Sequence, residues 1–348
     1  MARKYFPAVW ASDISTGFSA RKAEIKNRFP GLLAASVVAV ASQFLAHHYG
    51  APVMLFALLL GMAMYFLYEE GVCKPGIQFT SSWVLKFGVA LLGFGISYEE
   101  LALIGWPIIC LVLGAVIMTI LAGPLFSRLF GYDHRFGVLT AGAVAICGAS
   151  AALAISSVLP KSDMAERDTA FTVVLVTTLS TVAMIVYPIL ASLFDFDGFY
   201  TGVFFGATIH DVAQVVGAGY SVSEEAGDTS TIVKLLRVSM LIPVVVLLPL
   251  VFFPETGDGA RKLPSVPLFV VGFVISVALG NTLFHDTDIN EVLLDTSRWC
   301  LVVSIAAIGM KTSLKALRGI GSKAIGLVIF ETAFLAVLVL CVLFSGLV

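Results

Sequence analysis

The sequence predicts an all-α fold, a polytopic transmembrane helical bundle of about eleven spans, and three observations carry that expectation. Of the 348 residues, 59% are hydrophobic and only 13% charged, whereas about a quarter of a soluble domain is charged. Apolar stretches of about 20 residues recur between short polar or Gly/Pro-containing breaks, each long enough to cross a hydrocarbon core of roughly 30 Å. Backbone groups in lipid must be satisfied within their own segment, which makes such stretches helices. The alternating ten-residue pattern of an outer-membrane barrel is absent.

The apolar segments fall at 29-48, 52-68, 82-98, 104-127, 136-159, 169-194, 199-220, 230-253, 265-284, 289-311 and 322-346. Ahead of them, residues 1-28 form a polar N-terminal tail with Arg3, Lys4, Arg21, Lys22, Lys26 and Arg28. The tail has no short apolar core followed by a small-residue cleavage site, so it reads as a retained cytoplasmic segment, and 29-348 reads as one transmembrane transporter domain. With the N-terminus inside, Lys74, Arg128, Arg135, Arg261, Lys262, Lys311, Lys315, Arg318 and Lys323 fall on the cytoplasmic side, and Lys161 and Arg167 fall outside. That asymmetry supports an inner-membrane protein with its N-terminus cytoplasmic and C-terminus outside.

Net charge is −2, with no basic run, and nucleic acid is not an expected partner. The five cysteines lack metal-ligand or redox spacing and read as small core residues; no cofactor is called for. An internal echo is present at a constant offset of 216. Thr80, Ser81, Trp83, Ala90, Gly93, Ser97, Leu101 and Gly105 recur as Thr296, Ser297, Trp299, Ala306, Gly309, Ser313, Leu317 and Gly321. Spans three and ten would then run in opposite directions, as in the inverted repeats that build many secondary transporters. A pairing of span five with span ten, through Ala145-Ala149 and Ala307-Lys311, is the alternative, and chance similarity of two small-residue helices is a third.

Three stretches place chemistry at lipid depth. In span five, small residues concentrate around Gly148. A break there would expose the N–H groups of Gly148, Ala149 and Ser150 at a half-helix N-terminus, which favours an anion; close helix packing is the plainer use of such residues. In span seven, His210, Asp211 and Gln214 fall within about one helical turn. Ionisable residues at that depth are costly, so they are candidates for proton coupling, for a packing network or, less readily, for a metal. At the start of span eight, Lys234 and Arg237 lie on one helix face. Either they snorkel to the interface or they face a polar cavity, where Arg237 offers a planar fork for an oxyanion and Lys234 a compact charge. Lys86, Arg298 and Lys311 would add to such a cavity, whereas Glu331 in span eleven has no visible partner.

At these residues the sequence resembles the YeiH-type family of bacterial membrane proteins. The matching elements are Ala145-Ile146-Cys147-Gly148-Ala149-Ser150-Ala151, Gly206 to Val216 with His210-Asp211, Val233 to Val238 with Pro243, and Leu92 to Ser97. The His-Asp segment is the most specific of these, and the resemblance covers the chain from about residue 30 onward. It implies a multi-pass inner-membrane protein assigned to sulfate export. By looser analogy, it implies two inverted five-helix repeats crossing at broken helices, as in sodium/proton antiporters and bile-acid symporters. The tail and an eleventh span depart from a ten-helix core.

Together these readings predict a secondary transporter of a small anion, sulfate favoured, by alternating access. Gly148, Ala149, Ser150, Lys234 and Arg237 would hold the anion, and His210, Asp211 and Gln214 would serve coupling to a proton or to sodium. A homodimer is compatible with this reading. The rivals are a channel or membrane sensor scaffold and an intramembrane enzyme using His210-Asp211. The enzyme is disfavoured because neither GxSxG nor HExxH spacing occurs.

Overall fold

The computed structural model describes residues 6–49, 52–69, 71–160, 162–253, 268–284, 287–312 and 321–347. These residues are helical throughout, and no strand forms among them. In chain order the helices are α1 (Phe6–Tyr49), α2 (Val53–Ala63), α3 (Phe66–Glu69), α4 (Lys74–Phe79), α5 (Leu85–Leu92), α6 (Tyr98–Leu103), α7 (Gly105–Leu129), α8 (His134–Ala145), α9 (Ala149–Ser156), α10 (Ala165–Leu193), α11 (Gly198–Thr208), α12 (Val212–Val222), α13 (Glu224–Ser239), α14 (Leu241–Phe252), α15 (Leu268–Thr282), α16 (Asp288–Lys311) and α17 (Ser322–Phe344). Among the described residues, seven helical stretches are long and apolar enough to cross a membrane, and shorter apolar helices accompany them. The tail is not separate from the first span: α1 is continuous from Phe6, with its lipid-length portion beginning at Lys26.

Spans five and seven depart most from the expectation. Span five divides at Ile146-Cys147-Gly148 into α8 and α9, and the two halves turn back on each other. Ile155 of α9 sits against Gly142 of α8, and Arg135 at the start of α8 donates Nε–H to the Pro160 carbonyl beyond the end of α9 at 2.9 Å. Ser156 also meets Thr169 in the first turns of α10 at 2.6 Å. The segment is thus a re-entrant hairpin, whose 12-residue first arm reaches about 18 Å, a little past half of a bilayer core.

Span seven folds the same way. The arms α11 and α12 pack on each other and both on α13. Gly202 lies on Thr229 and Gly206 on Val233, so α11 runs parallel to α13, while Gly219 lies on Gly227 and Ser230, so α12 runs antiparallel. The base of the first hairpin adjoins the start of the 29-residue α10, and the second hairpin begins just after its end. The two hairpins therefore enter from opposite ends of α10, and their tips meet midway.

Side-chain caps fix these entries. Asp133 accepts from the Phe136 N–H at 2.9 Å, Asp197 from the Tyr200 N–H at 2.8 Å and Ser223 from the Ala226 N–H at 3.1 Å, satisfying first-turn amides that would otherwise lack acceptors. The Ser223 cap also corrects the start of span eight. Helix α13 begins at Glu224, so Lys234 lies ten residues along it, about 15 Å deep rather than one turn inside.

The helices sort into two bundles. One gathers α1, α2, α4, α5, α15 and α16; the other gathers α7 to α13 with α17. Principal contacts between them run through α12 against α2 and α16. In the first bundle α2 and α16 pack backbone to backbone, because Gly61 and Gly309 leave no room for a Cβ between them. The echo-related span three and α16 also pack together in opposite directions: Gly88 lies beside Ser297 and Leu301, and Gly95 beside Leu294. Ser297 donates to the Gly88 carbonyl at 2.7 Å. Helix α16 is continuous, so the partner of the break in span five is the break in span seven; Ser313 and Leu317 of the echo lie outside the described residues.

Candidate functional site

The site is built where the hairpin tips meet. A helix that stops in lipid leaves its last carbonyls without donors, and here α8 and α11 both stop at membrane depth. Lys234 and Arg237, fully buried on α13, supply those donors. Lys234 Nζ donates to the carbonyls of Ile146 and Ile209 at 2.8 and 2.9 Å. Arg237 donates from Nε to Ala145 at 2.9 Å, from Nη2 to Val144 at 2.8 Å, and from Nη1 to Gly206 and Ile209 at 3.1 and 3.2 Å. Two cations thus bind both hairpin tips together and oppose the negative ends of both arms. Burial rules out snorkelling, and neither cation is among the residues lining the cavity described below.

The opposite ends of the breaks are arranged differently. Gly148 caps α9 with φ +63°, and a Cβ there would stand 2.6 Å from Asp211 Oδ1. Only glycine lets the two tips approach this closely. The Asp211 carboxylate lies against Gly148, so the tip of the second hairpin stands at the start of the returning arm of the first. The Asp211 backbone N–H in turn donates to Ser180 Oγ of α10 at 3.0 Å. No side chain caps the start of α12.

His210, Asp211 and Gln214 do not share one helical turn, because the break falls at Ile209-His210-Asp211. His210 is buried, with Nε2 3.0 Å from Thr332 Oγ1 of α17. Asp211 stands at the mouth of the break, and Gln214, in the first turn of α12, donates Nε2–H to Thr181 Oγ1 at 3.4 Å while its Oε1 has no partner.

A cavity of about 710 Å³ opens at the tips, between the two bundles. Ala149 and Ser150 of α9 and Asp211, Val212, Ala213 and Gln214 at the start of α12 line one wall. Lys311 closes it from the end of α16, and span three contributes Ser81, Ser82 and Lys86. A wider π-helical turn over Thr80–Val84 carries the two serines onto this wall, a device frequent at functional sites. Lys86 and Lys311, expected to share a cavity, do so; Arg298 does not.

Arg298 instead pairs with Glu224 at 2.6 Å, joining α16 to α13 and so one bundle to the other. With Tyr220 and Trp299 this pair lines a second cavity of about 410 Å³. The α12–α16 contact separates the two cavities. Among the described residues, no group of three His, Cys, Asp or Glu side chains is placed to hold a metal ion.

Four hydroxyl residues that the sequence analysis did not single out complete the site: Ser180 and Thr181 on α10, Thr140 on α8 and Thr332 on α17. The run Thr177-Thr178 and Ser180-Thr181 in the middle of an apolar span was the available signal for the first two. Glu331 has a partner after all, Thr140, which donates to its Oε1 at 2.9 Å.

Comparison with known proteins places the chain among membrane proteins. Residues 30–328 match the family model described as conserved hypothetical protein 698. UPF0324 membrane protein CT0845 of Chlorobaculum tepidum is 52% identical over 325 residues, covering 92% of this chain and 90% of that protein. UPF0324 membrane protein TauZ of Paracoccus denitrificans is 50% identical over 319 residues, covering 90% and 94%. A UPF0324 membrane protein of Bordetella pertussis is 31% identical over 316 residues, covering 87% and 89%. The chain belongs to the UPF0324, YeiH-type family of membrane proteins.

Proposed function

We propose that this membrane protein is a secondary transporter of a small anion, with sulfate the favoured substrate, in which the hairpin-bearing bundle moves against the other. The observation that carries the proposal is the cavity at the crossing of two opposed hairpins, into whose largely apolar wall both bundles bring charged and hydroxyl groups. Binding sites of transporters lie near the midplane where discontinuous helices meet. The second cavity beyond the α12–α16 contact supports alternating access, with the Glu224–Arg298 pair as the latch on that side.

In this reading the anion sits against the uncapped amides at the start of α12, with Lys311, Lys86 and the Ser150 hydroxyl as further donors. Gly148 and Ala149 shape the tip that faces it. Lys234 and Arg237 act from behind the tips as fixed positive charge, favouring an anion in low dielectric without touching it. His210 and Asp211, at the break, carry the coupling proton; the cavity also suits sodium beside the Asp211 carboxylate.

The hairpins support the expected orientation, with the N-terminus cytoplasmic and the C-terminus outside. Because each returns to the side it left, the number of crossings stays odd and Arg167 returns to the side of Arg128 and Arg135. The flanks of the second hairpin carry Asp195, Asp197, Glu224 and Glu225. Connections that carry Lys and Arg then face the cytoplasm and those of the second hairpin, which carry none, the outside, as the positive-inside rule favours.

The test is uptake of labelled sulfate into proteoliposomes under an imposed pH gradient. Saturable uptake whose pH profile flattens in His210→Ala and Asp211→Ala is expected; a flat uptake curve for sulfate and related sulfur oxyanions would reject the substrate.

A further inference from the structure

Glu331 is fully buried in the middle of α17, nine residues from its start at Ser322, or about 14 Å along the helix. Its Oε1 meets Thr140 on the first hairpin, and its Oε2 has no partner. The next residue, Thr332, meets His210 at the tip of the second hairpin. Adjacent residues of one helix therefore touch both hairpins.

No described cation forms an ion pair with this carboxyl. Arg135 on α8 and Arg167 and Asp168 on α10 gather at the base of the first hairpin, where Asp168 pairs with Arg135 at 3.6 Å and Arg167 at 3.0 Å, and Arg128 ends α7 as an exposed side chain. Tyr187 and Tyr200 are the titratable groups on the second-hairpin side of α10 and α11, and His210 faces from the tip. A lone carboxylate buried at lipid depth is costly unless it is paired or carries a proton.

Thr140 suits both states of such a group. Its hydroxyl lies 2.9 Å from Glu331 Oε1 and 3.1 Å from the Phe136 carbonyl. It can donate to a carboxylate, or turn its hydrogen to Phe136 and accept from the protonated acid. A comparable assignment holds at Thr332: its hydroxyl donates to the Val328 carbonyl at 2.7 Å, so its oxygen accepts, and the His210 ring presents Nε2–H to it.

We propose that Glu331, with Thr140, is a proton-binding site, filled and emptied through His210 from the cavity side. This deepens the coupling role proposed above and rests on that reading for its place in transport, but occupation of the site is independent of the substrate. The carboxylate gains one proton on filling and loses one on emptying, and His210, one contact away through Thr332, returns to its starting state each time.

The test is infrared difference spectroscopy of the reconstituted full chain, following the carbonyl stretch of a protonated carboxylic acid and its exchange in D₂O. The expected result is a band that Glu331→Gln removes, that Asp211→Asn leaves, and that exchanges on the order of a hundredfold more slowly in His210→Ala. Glu331→Asp and Thr140→Val, which keep an acid or remove only its partner, should shift the band and cover a Gln variant that fails to fold. A spectrum in which none of these changes alters a carboxylic band would overturn the site, and a band whose exchange ignores His210 would overturn the route. Neither readout requires sulfate, so failure of sulfate uptake leaves them standing.

Discussion

Replacing Arg237 by Gln separates a structural cap from an anion ligand. Arg237 makes four hydrogen bonds to the carbonyls of Val144, Ala145, Gly206 and Ile209, all in the buried interior. A glutamine amide can donate at most two. At least two donations are lost, and because the Ile209 carbonyl keeps Lys234, at least one buried carbonyl is left without a donor, at a cost of about 1–3 kcal/mol for each so left. Loss of positive charge from the ends of α8 and α11 adds to this, while relief of a buried charge offsets part of it. Thermal unfolding of the detergent-solubilised variant should drop by several degrees without any ligand, and Cys147, buried in the first tip, should react faster with a maleimide. An unfolding midpoint equal to that of the parent, together with lost sulfate binding, would refute the capping argument and return Arg237 to the anion.

Two further substitutions probe the cavity and the tip. Lys311→Gln removes a charged donor from the wall and should weaken anion binding by about 10- to 100-fold, the equivalent of about 1.5–3 kcal/mol, with unfolding unchanged; titration calorimetry reads it. Gly148→Ala forces an L-residue to φ +63° and a Cβ to 2.6 Å from Asp211 Oδ1, and chemical denaturation should report a loss of about 1–3 kcal/mol.

Much of the site was legible because lipid makes polar groups conspicuous. His210, Asp211, Lys234 and Arg237 stand out in apolar runs, and Gly148 among small residues marks a position where a helix can break. What those groups touch was not legible, since a cation in an apolar helix serves a ligand or a severed backbone equally well by composition. Re-entry was hidden for a geometric reason. Two arms of 12 and 8 residues with a short tip have the length and hydropathy of a single crossing, and a sliding window does not see direction. The Lys and Arg distribution held the missing signal: Arg128 and Arg135 precede span five and Lys161 and Arg167 follow it, while the flanks of span seven carry Asp195, Asp197, Glu224 and Glu225 and neither Lys nor Arg. Lys161 lies outside the described residues, but Asp168 contacts both Arg135 and Arg167 and fixes those two at one end.

Everything proposed for the cavity depends on two hairpins entering from opposite faces. Single cysteines at Arg128, Asp163, Asp195 and Val222, introduced after replacing the five native cysteines and labelled in sealed vesicles with an impermeant maleimide, test this directly. Residues 128 and 163 should label from one face, and 195 and 222 from the other. Labelling of 128 and 163 from opposite faces would mean that span five crosses, and the opposed-hairpin architecture would be wrong.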